Sequence, residues 1–457
     1  MKKLLTIIGA VALGSAAQMP LLADTVYWKA DAGGDITSSS NWTNSLGNAV
    51  VPAAGDVLDF SAIVTDKLSL TGSFPDDRVF SCAMFGGLTK AKYVTLNGSL
   101  HFETLTNANC LAIGATGSLV IDGDLVWQYS TAKVETNVGR FLFSNEGSVT
   151  VNGIAMAWLD SKVTTWFYPF RENTASHPLR VKGIVHKNIY GGIQTFMLSS
   201  YGSRNSGTAG EWVIGSEGLS FDNSQANSAV VFQVGGGNGS VAGADVTLYS
   251  SDDWKIGTSR KNKTTHGDLY INGKTLTIDT ADYDYPTDAT KAHTVTLNGR
   301  IYADATSGTS LSISGNGTFV VATKVNYGTL LKTYISNTVA VVDSATLQIN
   351  ADAKYEIANV NLAAGTTLSL PSSSATALEA RSLPSVTLPA EGKAYLRIDG
   401  PALKPGEYTV LDSVPSGYAS HLSVVGTAIG THSVRLSDDG SSLKLIVLPK
   451  GLIISFF

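Results

Sequence analysis

Charged side chains make up only 15% of this 457-residue chain, against about 25% in ordinary soluble domains. The few Lys and Arg are scattered and the net charge is -5, so no basic stripe exists to follow a phosphate backbone and nucleic acid is excluded as a partner. Apart from Ala, good helix formers such as Glu, Gln and Met are few beside plentiful Gly, Ser, Thr and Asn, which argues against a helical fold and for strands and turns. Only Ala375 to Ser382 has a helical composition, and it is too short to hold a helix alone. Beyond the first residues no segment carries 18 uninterrupted apolar side chains, so the mature chain is expected to have no transmembrane helix. Cysteine is limited to Cys82 and Cys110. In an oxidising compartment these two could pair across adjacent coils of a repeating fold, or remain two small buried apolar side chains.

Catalytic patterns are also missing. There is no Gly-x-Ser-x-Gly elbow, and the seven His residues lack metal-ligand spacing. Gly237-Asn-Gly239-Ser-Val-Ala242 matches a dinucleotide fingerprint, but no helix follows to present amides to a pyrophosphate, so it reads as a turn. No cofactor is expected. His101 and Glu103 share one strand face and read as a surface pair. Asp279, Asp282, Asp284 and Asp288 crowd around Tyr283, Tyr285 and Pro286 and offer hard oxygen ligands for Ca²⁺. Without a Gly to break the turn or a Glu to close it, the competing reading is a solvated acidic loop. The aromatic stretch Trp158, Trp166, Tyr168 and Phe170 beside Arg171 suits a glycan platform, since sugar ring faces pack on aromatics. It equally suits an insertion packing its rings on the fold.

What is present begins with Lys2 and Lys3, the apolar run Leu4 to Leu13, and small residues at Gly14, Ser15, Ala16 and Ala17. This is the pattern of a secretory signal peptide, assigned to 1–23. Cleavage after Ala17 satisfies the small-x-small rule; cleavage after Ala23 has the poorer Leu21 three positions upstream but starts the chain just before Val26-Tyr27-Trp28. Both sites stay open. From about residue 90, alternating runs end repeatedly in Asn-Gly or Asp-Gly: Asn97-Gly98, Asp122-Gly123, Asn152-Gly153, Asn272-Gly273 and Asn298-Gly299. Neighbouring pairs lie 25, 30 and 26 residues apart, the recurrence a solenoid coil requires. The expected fold is therefore all-β, an irregular parallel β-helix or solenoid, with tandem β-sandwiches as the alternative. Its expected divisions are an N-terminal cap and first coils over 24–90, solenoid over 91–370, and a Ser/Pro-rich connector over 371–392. A C-terminal β-domain or cap of about five strands follows over 393–449, then an apolar tail at 450–457.

Trp28, Asn41-Trp42, Pro52, Asp56 and Phe60 resemble the opening segment of bacterial autotransporter-associated β-strand repeat proteins. Gly315-Asn-Gly-Thr-Phe-Val-Val, Asn337 to Asn350 and Leu362 to Leu370 are similar to that family's repeat. The likeness covers about the first 40 mature residues and roughly 310–370. It implies an exported passenger of right-handed β-helical form at the cell surface. A membrane β-barrel of the autotransporter kind needs many strands of about 9–11 residues, more than residues 394–457 can supply.

These features together lead us to expect an exported, non-enzymatic, adhesin-like structural protein at the cell surface or outside the cell, with the periplasm as the alternative location. Its expected partner is a glycan, a host or neighbouring-cell surface, or a second copy of itself. The competing reading is a polysaccharide-binding module, or a polysaccharide lyase or glycosidase on a β-helix. An enzyme would need two of Asp160, Glu172, Glu211, Asp222, Asp252 and Asp253 to converge in one cleft, about 5–10 Å apart.

Overall fold

Thr-Val-Thr-Leu at 294–297, Thr-Phe-Val-Val at 318–321 and Thr-Leu-Gln-Ile at 346–349 alternate polar or half-exposed positions with buried apolar ones. In the computed structural model each is a strand whose second and fourth side chains are buried. The structure describes the strands and most turns between residues 24 and 449. Residues 1–23, 450–457 and a series of segments between strands, the longest being 202–209, 236–243, 258–268 and 323–337, lie outside the description. Among the described residues the only helical pieces are short 3-10 turns.

The strands stack in parallel, coil upon coil, as a β-solenoid. One face begins at Gly34–Asp35 and runs through Tyr93–Asn97, Ser118–Asp122 and Val246–Ser250 to Val386–Thr387. A second face runs from Leu100–Glu103 through Leu125–Ser130 and Thr294–Leu297 to Leu422–Val425. A third starts at Thr25–Trp28 and ends, among the described residues, at Ile301–Ala303. The core is a set of in-register apolar columns. On the first face Leu179, Trp212, Leu248, Ile278, Ile313, Val341 and Leu362 succeed one another from coil to coil, each at most 3% exposed. Burying each such side chain contributes about 1.5–3 kcal/mol before chain entropy is counted.

The corner between the first and second faces explains its glycines. Gly98 has φ +92°. A methyl group on Gly123 would lie 2.4 Å from the Gly98 carbonyl carbon, and one on Gly153 would lie 2.5 Å from the Gly123 oxygen. The backbones of successive coils touch here, with the Gly153 amide donating to the Gly123 carbonyl at 2.9 Å, and no side chain fits between them. The five Asn/Asp-Gly pairs are nevertheless not one corner repeated. Asn97, Asp122 and Asn152 share this corner, whereas Asn272 ends a third-face strand and Asn298 follows a second-face strand. The 26-residue step between those two therefore spans different corners and is not a coil length.

The first coil is closed by aromatics. Trp42–Thr43 pairs antiparallel with Thr25–Trp28 and covers an edge that would otherwise offer a free ladder. Trp42 is fully buried, lies edge-on to Trp28 and Phe60 at 5.0 and 5.2 Å, and donates its indole N–H to the Ile36 carbonyl at 2.8 Å. Asp56, 7% exposed, accepts from the Ala53 and Asp24 amides. Each of these motif residues thus has a structural task in the cap.

At the other end the structure redraws the expected divisions. Val386–Thr387, Ala394–Arg397 and Leu422–Val425 continue the parallel stack, so the coils run beyond 370, across part of the expected connector, and take two of the five strands expected in the C-terminal domain. Ala394–Arg397 alternates buried and exposed side chains as the coils before it do. The remaining three, Gly406–Asp412, Val434–Asp438 and Ser442–Val447, form an antiparallel sheet. No helix forms over the described part of the Ala375 to Ser382 stretch, residues 375–378.

Candidate functional site

The outward positions of the strands make two kinds of surface. The first is a set of polar lanes. Thr294, Thr318, Thr346 and Thr367 occupy one register position in four successive coils, followed by Tyr395. On the adjoining face Thr277, Ser312, Ala340, Asn361 and Thr387 do the same. Neighbours are bonded within and between coils, as in Thr275 Oγ1 to Ser310 Oγ at 3.1 Å and Asn359 Nδ2 to Asn361 Oδ1 at 2.8 Å. Parallel pairing spaces these groups by about 4.8 Å along the axis. The chemistry on offer is a flat, uncharged, repeating set of hydroxyls and amides.

The second surface is the acidic segment after Thr275–Asp282. It folds back along the first face, and Asp284 grips Arg180, 104 residues earlier, through both oxygens at 2.6 and 3.0 Å. Arg180 also lies 5.4 Å from the Tyr283 ring, which meets Tyr249 edge-on at 5.2 Å. Burial, then Glu211 and Asp279, push the Tyr249 hydroxyl up to about 12. Lys291 sits over the Tyr285 ring at 3.0 Å. The planar guanidinium is suited to this double contact, carboxylate on one side and ring on the other.

The four aspartates of the calcium candidate are all in use. Asp282 accepts from the Asp284 and Tyr285 amides and lies 3.0 Å from His293 Nε2. Burial opposes its charge, but these hydrogen bonds prevail and hold its carboxyl below the usual range. Asp288 caps the short turn Ala289–Lys291 through the Thr290 hydroxyl and amide, which lower its pKa. Asp279 accepts from the Ala281 amide, and burial raises it. Among the described residues no three His, Cys, Asp or Glu side chains converge as a cation site. The carboxylates point at protein donors, and these contacts hold the segment along the first face as a strap.

The glycan platform is divided. Trp158 stands on the second face, in register with Gln128 and Lys187. Trp166 and Tyr168 belong to the third face. Phe170 and Arg171 pair with Ser200–Tyr201 in a separate two-stranded sheet. Five positions thus fall on three sheets, and their side chains lie outside the described residues. So does the Gly237–Ala242 segment. Of the carboxylates an enzyme would require, Glu211 bonds Tyr249, Asp252 accepts from the Asp253 amide, and Asp253 accepts from the Thr294 amide while lying 3.7 Å from His293. Glu172 lies outside the described residues, as do the side chains of Asp160 and Asp222.

The cysteines are brought together by register. Ala83 and Leu111 are partners on adjacent third-face strands, so Cys82 and Cys110 occupy neighbouring positions one residue earlier; their side chains also lie outside the description. Sequence reasoning missed two features that the structure supplies. The Thr lanes were signalled by the alternation of Thr with apolar residues, whereas nothing local linked Asp284 to Arg180. Comparison with known proteins adds no assignment: no family model, no curated protein and no solved structure matches this chain.

Proposed function

We propose that this chain is an exported, non-enzymatic structural protein of adhesin-like type, displayed at the cell surface or secreted, whose long polar faces engage a glycan-rich surface. The observation that carries the reading is the Thr294, Thr318, Thr346 and Thr367 lane. A repeating uncharged array on a rigid stack suits many weak polar contacts with a repeating partner, whose affinities multiply when they are held together. The signal-like opening residues and the resemblance of the cap motif to autotransporter-associated repeats support export. The engagement of Glu211, Asp252, Asp253 and Asp282 with protein groups supports a binding rather than a catalytic role.

Two measurements test it. Protease treatment of intact cells should degrade the protein while periplasmic markers survive; a protected protein recovered wholly in the periplasmic fraction would overturn surface display. Polysaccharide pull-down should fall several-fold on Thr318→Lys together with Thr346→Lys, whose side chains break the lane without entering the core. Unchanged retention would overturn the assignment of the lane, and release of reducing ends from the bound polysaccharide would overturn the non-enzymatic reading.

A further inference from the structure

Asp56 is nearly sealed, yet among the described residues it forms no ion pair with Lys, Arg or His. Its two oxygens take two backbone amides instead: Ala53 at 2.7 Å and Asp24 at 3.2 Å. Asp24 is held from its other side as well, because its carbonyl accepts from the Val57 amide at 2.9 Å. The strand Thr25–Trp28 then runs parallel to Val57–Asp59. Among the described residues Asp24 is the first of the coil, and its nitrogen is aimed at a buried carboxylate. In the sequence, Asp24 follows Ala23, one of the two candidate cleavage positions.

We propose that signal cleavage falls between Ala23 and Asp24, and that the new α-ammonium of Asp24 forms an ion pair with Asp56 that locks the N-terminal cap. Hydrolysis adds one water across the amide: Ala23 leaves as a carboxylate and the Asp24 nitrogen becomes an ammonium at neutral pH. The atom that donated one hydrogen bond as an amide then carries three donors and a full charge at the same place. A carboxylate removed from water gains most from such a partner, because burial penalises it while it lacks one. Cleavage after Ala17 would leave Gln18 to Ala23 attached and keep the Asp24 nitrogen neutral, so the two candidate sites predict different caps. Processing at Ala23 thus stabilises the coil that all later coils stack upon.

This rests on the reading of the chain as exported, and the test separates the two. N-terminal sequencing of the protein recovered outside the cytoplasm should return Asp24 as the first residue. Recovery of an exported chain beginning at Gln18 overturns the inference and spares export; a chain confined to the cytoplasm and beginning at Met1 overturns both. The ion pair is then measured on full chains beginning at Asp24 or at Gln18, each with and without Asp56→Asn. The Asp24 chain should resist unfolding by about tenfold more in the equilibrium constant, equivalent to one pKa unit of coupling, and Asp56→Asn should erase that difference. If Asp56→Asn fails to fold, acetylating the Asp24 amine serves instead and should lose the same tenfold. The ammonium's pKa is raised by its partner, so the advantage should be full below the ordinary α-amino value of about 7.7–8.0 and vanish as pH rises through the raised one. An advantage unaffected by Asp56→Asn, acetylation or high pH would overturn the ion pair.

Discussion

Trp42→Ala should detach the N-terminal cap while leaving the distal coils folded. Trp42 is fully buried between Trp28 and Phe60. Truncating a buried Trp to Ala costs about 3–5 kcal/mol in lost transfer and cavity terms. The two edge-on ring contacts add about 0.5–1.5 kcal/mol each, and the Ile36 carbonyl loses its indole donor, worth about 1 kcal/mol. The contributions overlap, so an effect of about 5 kcal/mol on the first coils is expected. A stack of coils couples mainly to nearest neighbours; the loss should therefore appear as an early, separate transition in urea rather than a shift of the whole curve. Circular dichroism would follow the unfolding, and limited proteolysis with mass mapping would locate it before about residue 75. Trp42→Phe, which keeps a ring and loses the donor, should recover more than half of the loss. A single transition displaced by less than about 1.5 kcal/mol, or cleavage spread along the chain, would refute the capping role.

Three further outcomes are expected. Peptide mapping of the exported protein without reduction should find Cys82 joined to Cys110, and reduction should lower stability by about 3.5 kcal/mol, the loop-entropy value for a closed loop of this size; alkylation of both thiols in unreduced protein would count against it. Gly123→Ala should destabilise by about 2–3 kcal/mol because its methyl meets backbone of the neighbouring coil. Gly406→Ala, whose nearest neighbour would be 3.7 Å away on the Tyr408 ring, should stay within about 0.5 kcal/mol, and equal effects in chemical denaturation would undo the stacking argument. Asp282 has a lowered folded-state pKa, so its contribution should be present above the ordinary carboxylate value of about 3.9 and be lost as pH falls through the lower folded value. The melting difference between the wild type and Asp282→Asn should accordingly shrink as pH is taken below about 4; a difference that persists in acid would contradict the assignment.

The solenoid was legible because its information is local. Period-two alternation at Thr294–Leu297 or Thr346–Ile349 specifies a strand with one buried face, and a Gly after Asn97 or Asp122 specifies a sharp corner. Two things escaped for the same reason. Which corner an Asn-Gly pair occupies depends on how many residues the intervening loops consume, and that count varies from coil to coil. The use of the acidic segment depends on Arg180, which is distant in sequence and adjacent only once several coils have stacked. The cap was visible as a motif through Trp28, Asn41-Trp42, Asp56 and Phe60, but the partner of Asp56 became apparent only in three dimensions.

The apolar column of the first face takes 36 residues to step from Trp212 to Leu248 and only 21 from Val341 to Leu362. Contour length and axial position are therefore uncoupled: a corner can lengthen or shorten by a dozen residues without displacing the coils on either side. Such a chain is free to diverge by insertion and deletion at its corners while its core columns stay in place. Closure of a longer loop costs only about 0.6 kcal/mol per doubling of its length, so this freedom is thermodynamically cheap. Peptide epitopes or tags placed in the corner segments should be carried at fixed intervals along the axis, which makes the molecule a graduated scaffold.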